Sequence, residues 1–121
     1  MIRKAAIVAL GGTIGTAARL GAGMLLPEPG GLPLATVTVN VVGALLIGML
    51  TARLTRPSGW RLFLGAGVLG GFTTYSAFAL GSVQLWTDAP LLAALYAFGS
   101  LVLGVAAAAA GMRIAAPRRR T

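Results

Sequence analysis

The stretch from residue 65 to residue 78 combines residue types that are unusual together in a membrane helix. Its sequence is Gly-Ala-Gly-Val-Leu-Gly-Gly-Phe-Thr-Thr-Tyr-Ser-Ala-Phe, so glycines lead into hydroxyls and then into two aromatic rings three residues apart. It lies inside an uncharged run from Leu62 to Thr87. In hydrocarbon, an interrupted helix persists only where the freed backbone is buried in protein or lines a polar cavity. The pattern therefore predicts a binding or permeation site.

A second polar group at membrane depth is Asn40, with Thr36 one helical turn before it on the same face. A side-chain amide is unfavourable in hydrocarbon unless it is paired or faces water. Its two N–H donors suit a small anion. The alternative for a lone Asn is an interhelical hydrogen bond that stabilises packing.

Rings and hydroxyls extend this polar set. Tyr75 and Phe78 share a helical face, and aromatic ring edges carry the positive end of the quadrupole. Tyr96, Ser100 and Gly104 recur at four-residue spacing and so form a stripe on another helix. Each feature alone is typical of ordinary packing. Together with an amide, a broken helix and no carboxylate in the membrane, they favour a small, weakly held anion.

Two further features concern charge. Arg19 is a full charge late in the first apolar segment, and it either snorkels to the far interface or draws anions into a vestibule. Between Gly70 and Thr73, unwound carbonyls would offer the oxygen ligands that a hard monovalent cation takes. One chain supplies too few such oxygens, so a cation site here would have to be shared on a dimer axis.

The elements that position these residues follow from the charges, which divide the 121 residues into four apolar segments. Each is near or above the roughly 20 residues that a membrane-spanning helix needs. We predict one all-α membrane domain over 1–121, with helices at 4–26, 33–53, 61–87 and 90–112 and a basic tail at 113–121. Arg3 and Lys4 resemble the start of a signal peptide, but the apolar run that follows is too long for one. A continuous third helix would exceed the bilayer core, which agrees with a break.

The net charge of +8 is distributed unevenly. Nine of the ten basic residues lie before the first helix, between the second and third, or after the fourth, whereas Glu28 and Asp88 lie at the opposite ends. This bias predicts a multi-pass protein of the plasma or inner membrane with both termini in the cytoplasm. It does not favour nucleic-acid binding.

Glycine spacing predicts close helix packing. Gly11 and Gly15, like Gly67 and Gly71, have the four-residue spacing of close approach in membranes. For the first pair we favour simple packing. In the third segment, Gly65 and Gly70 also lack side chains and lie on other faces of the helix. A single packing contact would not require glycines on several faces.

Three competing classes fit less well. A small multidrug transporter also has about four helices, but proton-coupled export needs a titratable acid in the membrane, and both acids lie in loops. A non-transporting assembly factor does not require Asn40 and a broken helix together. An enzyme is not expected, because the chain has no His or Cys and no buried carboxylate.

The ordered motifs closely resemble those of the Fluc (CrcB-type) fluoride channels over nearly the whole chain. The matching segments are Gly-Gly-Thr-Ile-Gly-Thr-Ala-Ala-Arg at 11–19, Thr-Val-Thr-Val-Asn-Val-Val-Gly at 36–43, Gly-Val-Leu-Gly-Gly-Phe-Thr-Thr-Tyr-Ser-Ala-Phe at 67–78, and the stripe Tyr96, Ser100, Gly104.

The resemblance implies a channel that exports fluoride passively and so reduces its toxicity. It implies an antiparallel dimer with two pores and a central structural sodium ion held by backbone carbonyls at the breaks of the third helices. It assigns the sodium carbonyls to Gly70 and Thr73 and the vestibule arginine to Arg19. The fluoride-pathway positions that it implies are Asn40, Tyr75, Phe78, Tyr96 and Ser100.

Two departures from the family pattern stand out. Tyr75 occupies a position where the family usually has Phe, and Gly104 and Ala108 interrupt the usual hydroxyl stripe. The charge bias also bears on assembly, because an antiparallel homodimer requires one sequence to insert both ways. A homodimer and a heterodimer with an oppositely oriented paralogue both remain, and the bias favours the heterodimer.

Overall fold

The computed structural model describes residues 1–117, and the basic residues 118–120 of the predicted tail lie outside that range. Five helical elements follow one another along the chain. They are α1 (Ile2–Leu25), α2 (Leu34–Arg53), α3 (residues 59–72), α4 (Tyr75–Asp88) and α5 (Pro90–Ala115). Because α3 and α4 together form one span, the described chain has four segments long and apolar enough to cross a membrane. The predicted all-α, four-span fold is confirmed.

Turn-forming residues separate the spans. A short 3₁₀ turn at Pro29–Gly31, with Gly30 and Gly31 at positive φ, joins α1 to α2. Ser58 caps the start of α3 by accepting a hydrogen bond from the Arg61 N–H. Pro90 occupies the first turn of α5, where its missing N–H leaves no bond unmade.

The fourth span ends three residues beyond the bound expected from the sequence. α5 runs to Ala115, and the Arg53 Nε at the end of α2 donates to the Ala115 carbonyl at 2.6 Å. A cationic donor at a helix C-terminus satisfies a free carbonyl and interacts favourably with the helix dipole. This contact ties the end of α5 to α2.

The first half of the third span is not a regular α-helix. Within α3, one α-helical turn at Gly59–Arg61 leads into a π-helical segment at Leu62–Leu69, and Gly70–Phe72 returns to α geometry. π-Helical turns are rare and occur often at functional sites. The wider turn therefore lies directly before the break in this span.

Glycines bring α1 and α3 into backbone contact. A Cβ added at Gly11 would lie 2.9 Å from the Cα of Gly67, and one at Gly15 would overlap the Val68 carbonyl. A Cβ at Gly71 would likewise overlap the Gly12 carbonyl. The packing role predicted for Gly11 and Gly15 is confirmed, and Gly67 and Gly71 form the opposing surface. We call this contact the glycine seam.

The second helix packs on the fifth in the same manner. A Cβ at Gly48 would overlap the Ala108 carbonyl, and one at Gly111 would overlap the Leu45 carbonyl. α4 packs on α5 around a small buried cluster of Leu85, Ala93 and Tyr96. Most large apolar side chains elsewhere are exposed, as expected for surfaces that face lipid or a second chain.

Candidate functional site

The third span is interrupted at two residues. Thr73 (φ −79°, ψ 159°) and Thr74 (φ −149°, ψ 124°) are both extended, and α4 starts at the next residue. The Thr74 hydroxyl caps α4 by accepting from the Ala77 N–H at 3.2 Å. The break is thus stabilised locally by a standard N-cap.

Asn40 from α2 holds this break in place. Its Nδ2 donates to the Thr74 carbonyl at 2.9 Å, and its Oδ1 accepts from the Thr74 N–H at 2.7 Å. One side chain thereby satisfies both backbone groups of an extended residue, which hydrocarbon could not satisfy. Of the two roles weighed for Asn40, the interhelical bond is present in the structure. The second Nδ2–H is left available as a donor, because an amide carries two.

The same contacts divert donors away from two carbonyls. In a continuous α-helix, the Gly70 carbonyl would accept from the Thr74 N–H, and the Thr73 carbonyl from the Ala77 N–H. Here the Thr74 N–H donates to Asn40, and the Ala77 N–H donates to the Thr74 hydroxyl. Gly70 and Thr73, the two predicted sodium-binding positions, are therefore among the residues at the break whose carbonyls lose their usual helical donors.

The Gly71 carbonyl between them is bonded to α1. The Arg19 Nε donates to it at 3.2 Å, and the Thr16 hydroxyl donates at 3.4 Å. Arg19 is partly buried and lies against the end of α3. The structure places its Nε beside the break, a contact that neither of the two roles considered from the sequence includes.

Three aromatic rings follow the break. Tyr75 and Phe78 have ring centroids 6.0 Å apart and planes tilted by 43°, and Phe78 is stacked on Tyr96 at 5.4 Å. Tyr75 is 80% exposed, whereas Tyr96 is only 4% exposed. Tyr96 thus lies behind Phe78 and fixes that ring by stacking.

These residues border an open groove of about 540 Å³ on one side of the chain. We call it the pore groove. Gly43, Leu69 and Thr74 line this groove together with several of the predicted site residues. The lining contains no acidic residue. The predicted site residues on its wall are Asn40, Gly70, Thr73, Tyr75, Phe78 and Ser100.

Two predicted site residues are not on that wall. Tyr96 supports Phe78 from behind, and Arg19 lies on the α1 side of the break. Of the stripe Tyr96, Ser100 and Gly104 on the last helix, only Ser100 reaches the pore groove. The four-residue spacing predicts that the stripe forms one face, but α4 covers its first residue, Tyr96.

Sequence reasoning missed the function of Thr74 as both helix cap and partner of Asn40. Its position, a Thr directly before an apolar helix, is the ordinary N-cap signal. It also missed the bond from Thr16, whose hydroxyl lies one turn before Arg19. Over residues 1–117, no cluster of three or more His, Cys, Asp or Glu side chains is placed to bind a metal ion.

The fold and site define a multi-pass helical membrane protein with a span interrupted beside a mainly apolar groove that carries a few polar groups and no acidic residue. The chain belongs to the CrcB-like family: the family model described as CrcB-like protein, Camphor Resistance (CrcB), matches residues 6–112. The resemblance stated from the motifs is confirmed.

Curated relatives are similar over nearly the full length. The fluoride-specific ion channel FluC of Paracoccus denitrificans is 48% identical over 114 residues, covering 88% of this chain and 90% of the relative. FluC of Novosphingobium aromaticivorans is 47% identical over 117 residues, covering 90% and 93%. FluC of Caulobacter vibrioides is 40% identical over 122 residues, covering 94% and 96%.

Proposed function

We propose that this protein is a fluoride-specific channel that conducts fluoride passively out of the cytoplasm. The observation that carries the proposal is the pore groove, where an amide donor and two aromatic rings meet beside a broken helix with no acidic side chain. The names of its full-length relatives support fluoride as the anion. A channel of this kind performs no covalent chemistry and is not an enzyme.

The proposed mechanism replaces water around the anion with weak, fixed donors. The free Nδ2–H of Asn40 and the ring edges of Tyr75 and Phe78 offer partial positive charge without a formal cation. Ser100 adds a hydroxyl to the lining of the same groove. Because these donors are weak, the ion is released as readily as it enters, which conduction requires.

One chain supplies only one wall, so we propose that the working unit is an antiparallel dimer. Tyr75 is largely exposed beside the groove, as is expected of a side chain that meets a second chain. The charge bias supports cytoplasmic termini and an oppositely oriented paralogue as partner, and a homodimer is the alternative. In either case Arg19 would lie at the approach to the pore, where its charge attracts anions.

We further propose that a structural sodium ion lies at the dimer centre. The carbonyls of Gly70 and Thr73 fit this role, because their usual helical donors are redirected to Asn40 and Thr74. Two chains together would offer four such oxygens, the ligand type that hard cations prefer. When bound, the ion would supply positive charge that joins the two broken helices.

Fluoride efflux from proteoliposomes tests the channel. Vesicles loaded with fluoride or with chloride are opened to potassium flux with valinomycin, and each anion is followed with its electrode. We expect fluoride efflux without chloride efflux, and its loss in Phe78→Ile. Efflux that requires a proton gradient would instead support a transporter of the small multidrug type, although both acids lie outside the pore groove.

Sodium dependence is measured separately. Chain purified and reconstituted with N-methylglucamine in place of sodium should conduct less fluoride, and added sodium should restore the flux. Equal flux at all sodium concentrations, with selectivity intact, would remove the sodium proposal and leave the fluoride channel standing.

A further inference from the structure

A second groove, of about 1010 Å³, lies at the end of the molecule where α1 begins and α2 ends. We call it the basic-end groove. Its inner wall is apolar and includes Ile7, Leu50, Leu62 and Gly65. At the upper end of the size range for ligand sites, it is large enough for more than an inorganic ion.

The rim of this groove is cationic. Arg3, Lys4 and Arg61 all contribute to its lining, and no acidic residue does. The Arg61 Nη1 donates to the Thr55 carbonyl at 3.2 Å, which holds its guanidinium over the loop before α3. The two acidic residues of the chain, Glu28 and Asp88, lie at the opposite ends of the spans. Among residues 1–117, no acidic side chain at this end neutralises the rim.

An interfacial aromatic residue fixes the depth of the rim. Trp60 immediately precedes Arg61, is 70% exposed, and packs edge-on against Phe63 with centroids 6.1 Å apart. Exposed Trp side chains in membrane proteins lie at the headgroup level. The rim charges are therefore at the depth of lipid phosphates, and the apolar wall reaches toward the acyl region.

We propose that the basic-end groove binds one anionic phospholipid. Its phosphate is held by Arg3, Lys4 and Arg61, and one acyl chain lies along Ile7, Leu50 and Leu62. A hydrated free anion would match the rim but not the apolar wall, and a neutral lipid would match the wall but not the rim. Only an amphipathic anion matches both, since charge near the membrane surface attracts anionic headgroups and the wall buries hydrocarbon.

The chain contains its own reporter for this proposal. It has two tryptophans, Trp60 beside the groove and Trp86 near the end of α4. In Trp86→Phe, fluorescence comes from Trp60 alone, and in Trp60→Phe it comes from Trp86 alone. Full-length protein is reconstituted in vesicles that contain brominated phosphatidylglycerol or brominated phosphatidylcholine at the same mole fraction.

We expect Trp60 to be quenched several-fold more strongly by the brominated anionic lipid, and Trp86 to be quenched equally by both lipids. The double variant Arg3→Gln with Lys4→Gln should abolish this excess quenching of Trp60 by the anionic lipid over the zwitterionic lipid. The matched control, Arg56→Gln with Arg113→Gln, removes two exposed charges that lie outside the groove. This control should leave the excess quenching of Trp60 unchanged. Ala66→Phe, which fills the groove and keeps the charges, should also abolish it.

Four outcomes would overturn the proposal. Equal quenching of Trp60 by both lipids would show that the groove does not select charge. If the Arg3/Lys4 and Arg56/Arg113 double variants lose the excess quenching equally, the lipid is attracted by the overall charge and not by a specific site. An excess quenching of Trp60 that survives Ala66→Phe would show that lipid does not occupy the groove. Quenching that is blocked by a partner subunit seated in the groove would show the same.

Discussion

The Asn40 side chain and the Thr74 backbone form a reciprocal pair of hydrogen bonds, at 2.9 and 2.7 Å, between the second span and the break in the third. This pair connects the structural and functional parts of the site. It holds the break open, redirects the donor that would close on Gly70, and places the remaining amide N–H beside the pore groove. Asn40 therefore acts as a scaffold for the break, and in the proposed channel the same side chain also donates to the anion.

Replacing Asn40 should impair stability and conduction together. Asn40→Ala leaves the N–H and C=O of Thr74 without partners at membrane depth, a loss of about 1–3 kcal/mol for a buried unsatisfied group. We expect a lower detergent-unfolding midpoint and loss of fluoride efflux. Thr38→Ala, at an exposed position on the same helix, is the matched control and should change neither measurement. Normal efflux through Asn40→Ala would exclude the amide from the pathway.

Tyr75 tests what the ring at this position must provide. If the ring edge is the essential feature, Tyr75→Phe should conduct fluoride like the natural chain, while Tyr75→Ile should lose most of the flux. Both side chains can occupy the exposed position of Tyr75, so neither change should unfold the protein. Side-by-side fluoride and chloride efflux provides the measurement. A large change in selectivity with Tyr75→Phe would assign the hydroxyl a role in the pore.

The glycine seam should tolerate no side chain. Gly15→Ala forces a methyl group into the Val68 carbonyl, and overpacking of this kind costs typically about 1–3 kcal/mol. We expect less folded protein and a lower unfolding midpoint. Gly23→Ala is the control on the same helix, because nothing lies within 4 Å of its added Cβ. An unchanged midpoint in Gly15→Ala would mean that α1 and α3 separate more easily than this contact implies.

Substitutions of Arg19 distinguish the contribution of its charge from that of its hydrogen bond to Gly71. If its charge attracts anions to the pore, Arg19→Gln should lower fluoride efflux by roughly tenfold at low ionic strength and less at high salt, whereas Arg19→Lys should retain most of the flux. Efflux is measured across a range of inert salt concentrations. Equal, salt-independent loss in both variants would instead indicate that the bond from Nε to the Gly71 carbonyl is what matters.

Orientation in the membrane follows from the basic residues. With nine of ten on one side, the chain expressed alone should insert almost uniformly with its C-terminus in the cytoplasm. Paired C-terminal reporters, one active in the cytoplasm and one outside it, measure the two populations. Comparable populations would contradict the bias and favour the homodimer over a paralogous partner.

The sequence predicted much of the site because lipid makes polar groups conspicuous. Against a background of 57% hydrophobic residues, Asn40, the hydroxyls at 73–76 and Arg19 each had to be satisfied somehow. Spacing alone could not say by which partner. The spacing places Tyr96 on the same face as Ser100, but it does not show that α4 covers Tyr96 and stacks Phe78 on the Tyr96 ring.

The sequence by itself determined four spans, their charge asymmetry and the region of the break, because hydropathy and helix-breaking residues act locally along the chain. Only the tertiary structure decided how the break is held. The bond between Asn40 and Thr74 joins residues 34 positions apart, and the bond between Arg19 and Gly71 joins residues 52 apart. Such contacts depend on which helices pack together, and the glycine seam sets that by shape rather than by any one residue's preference.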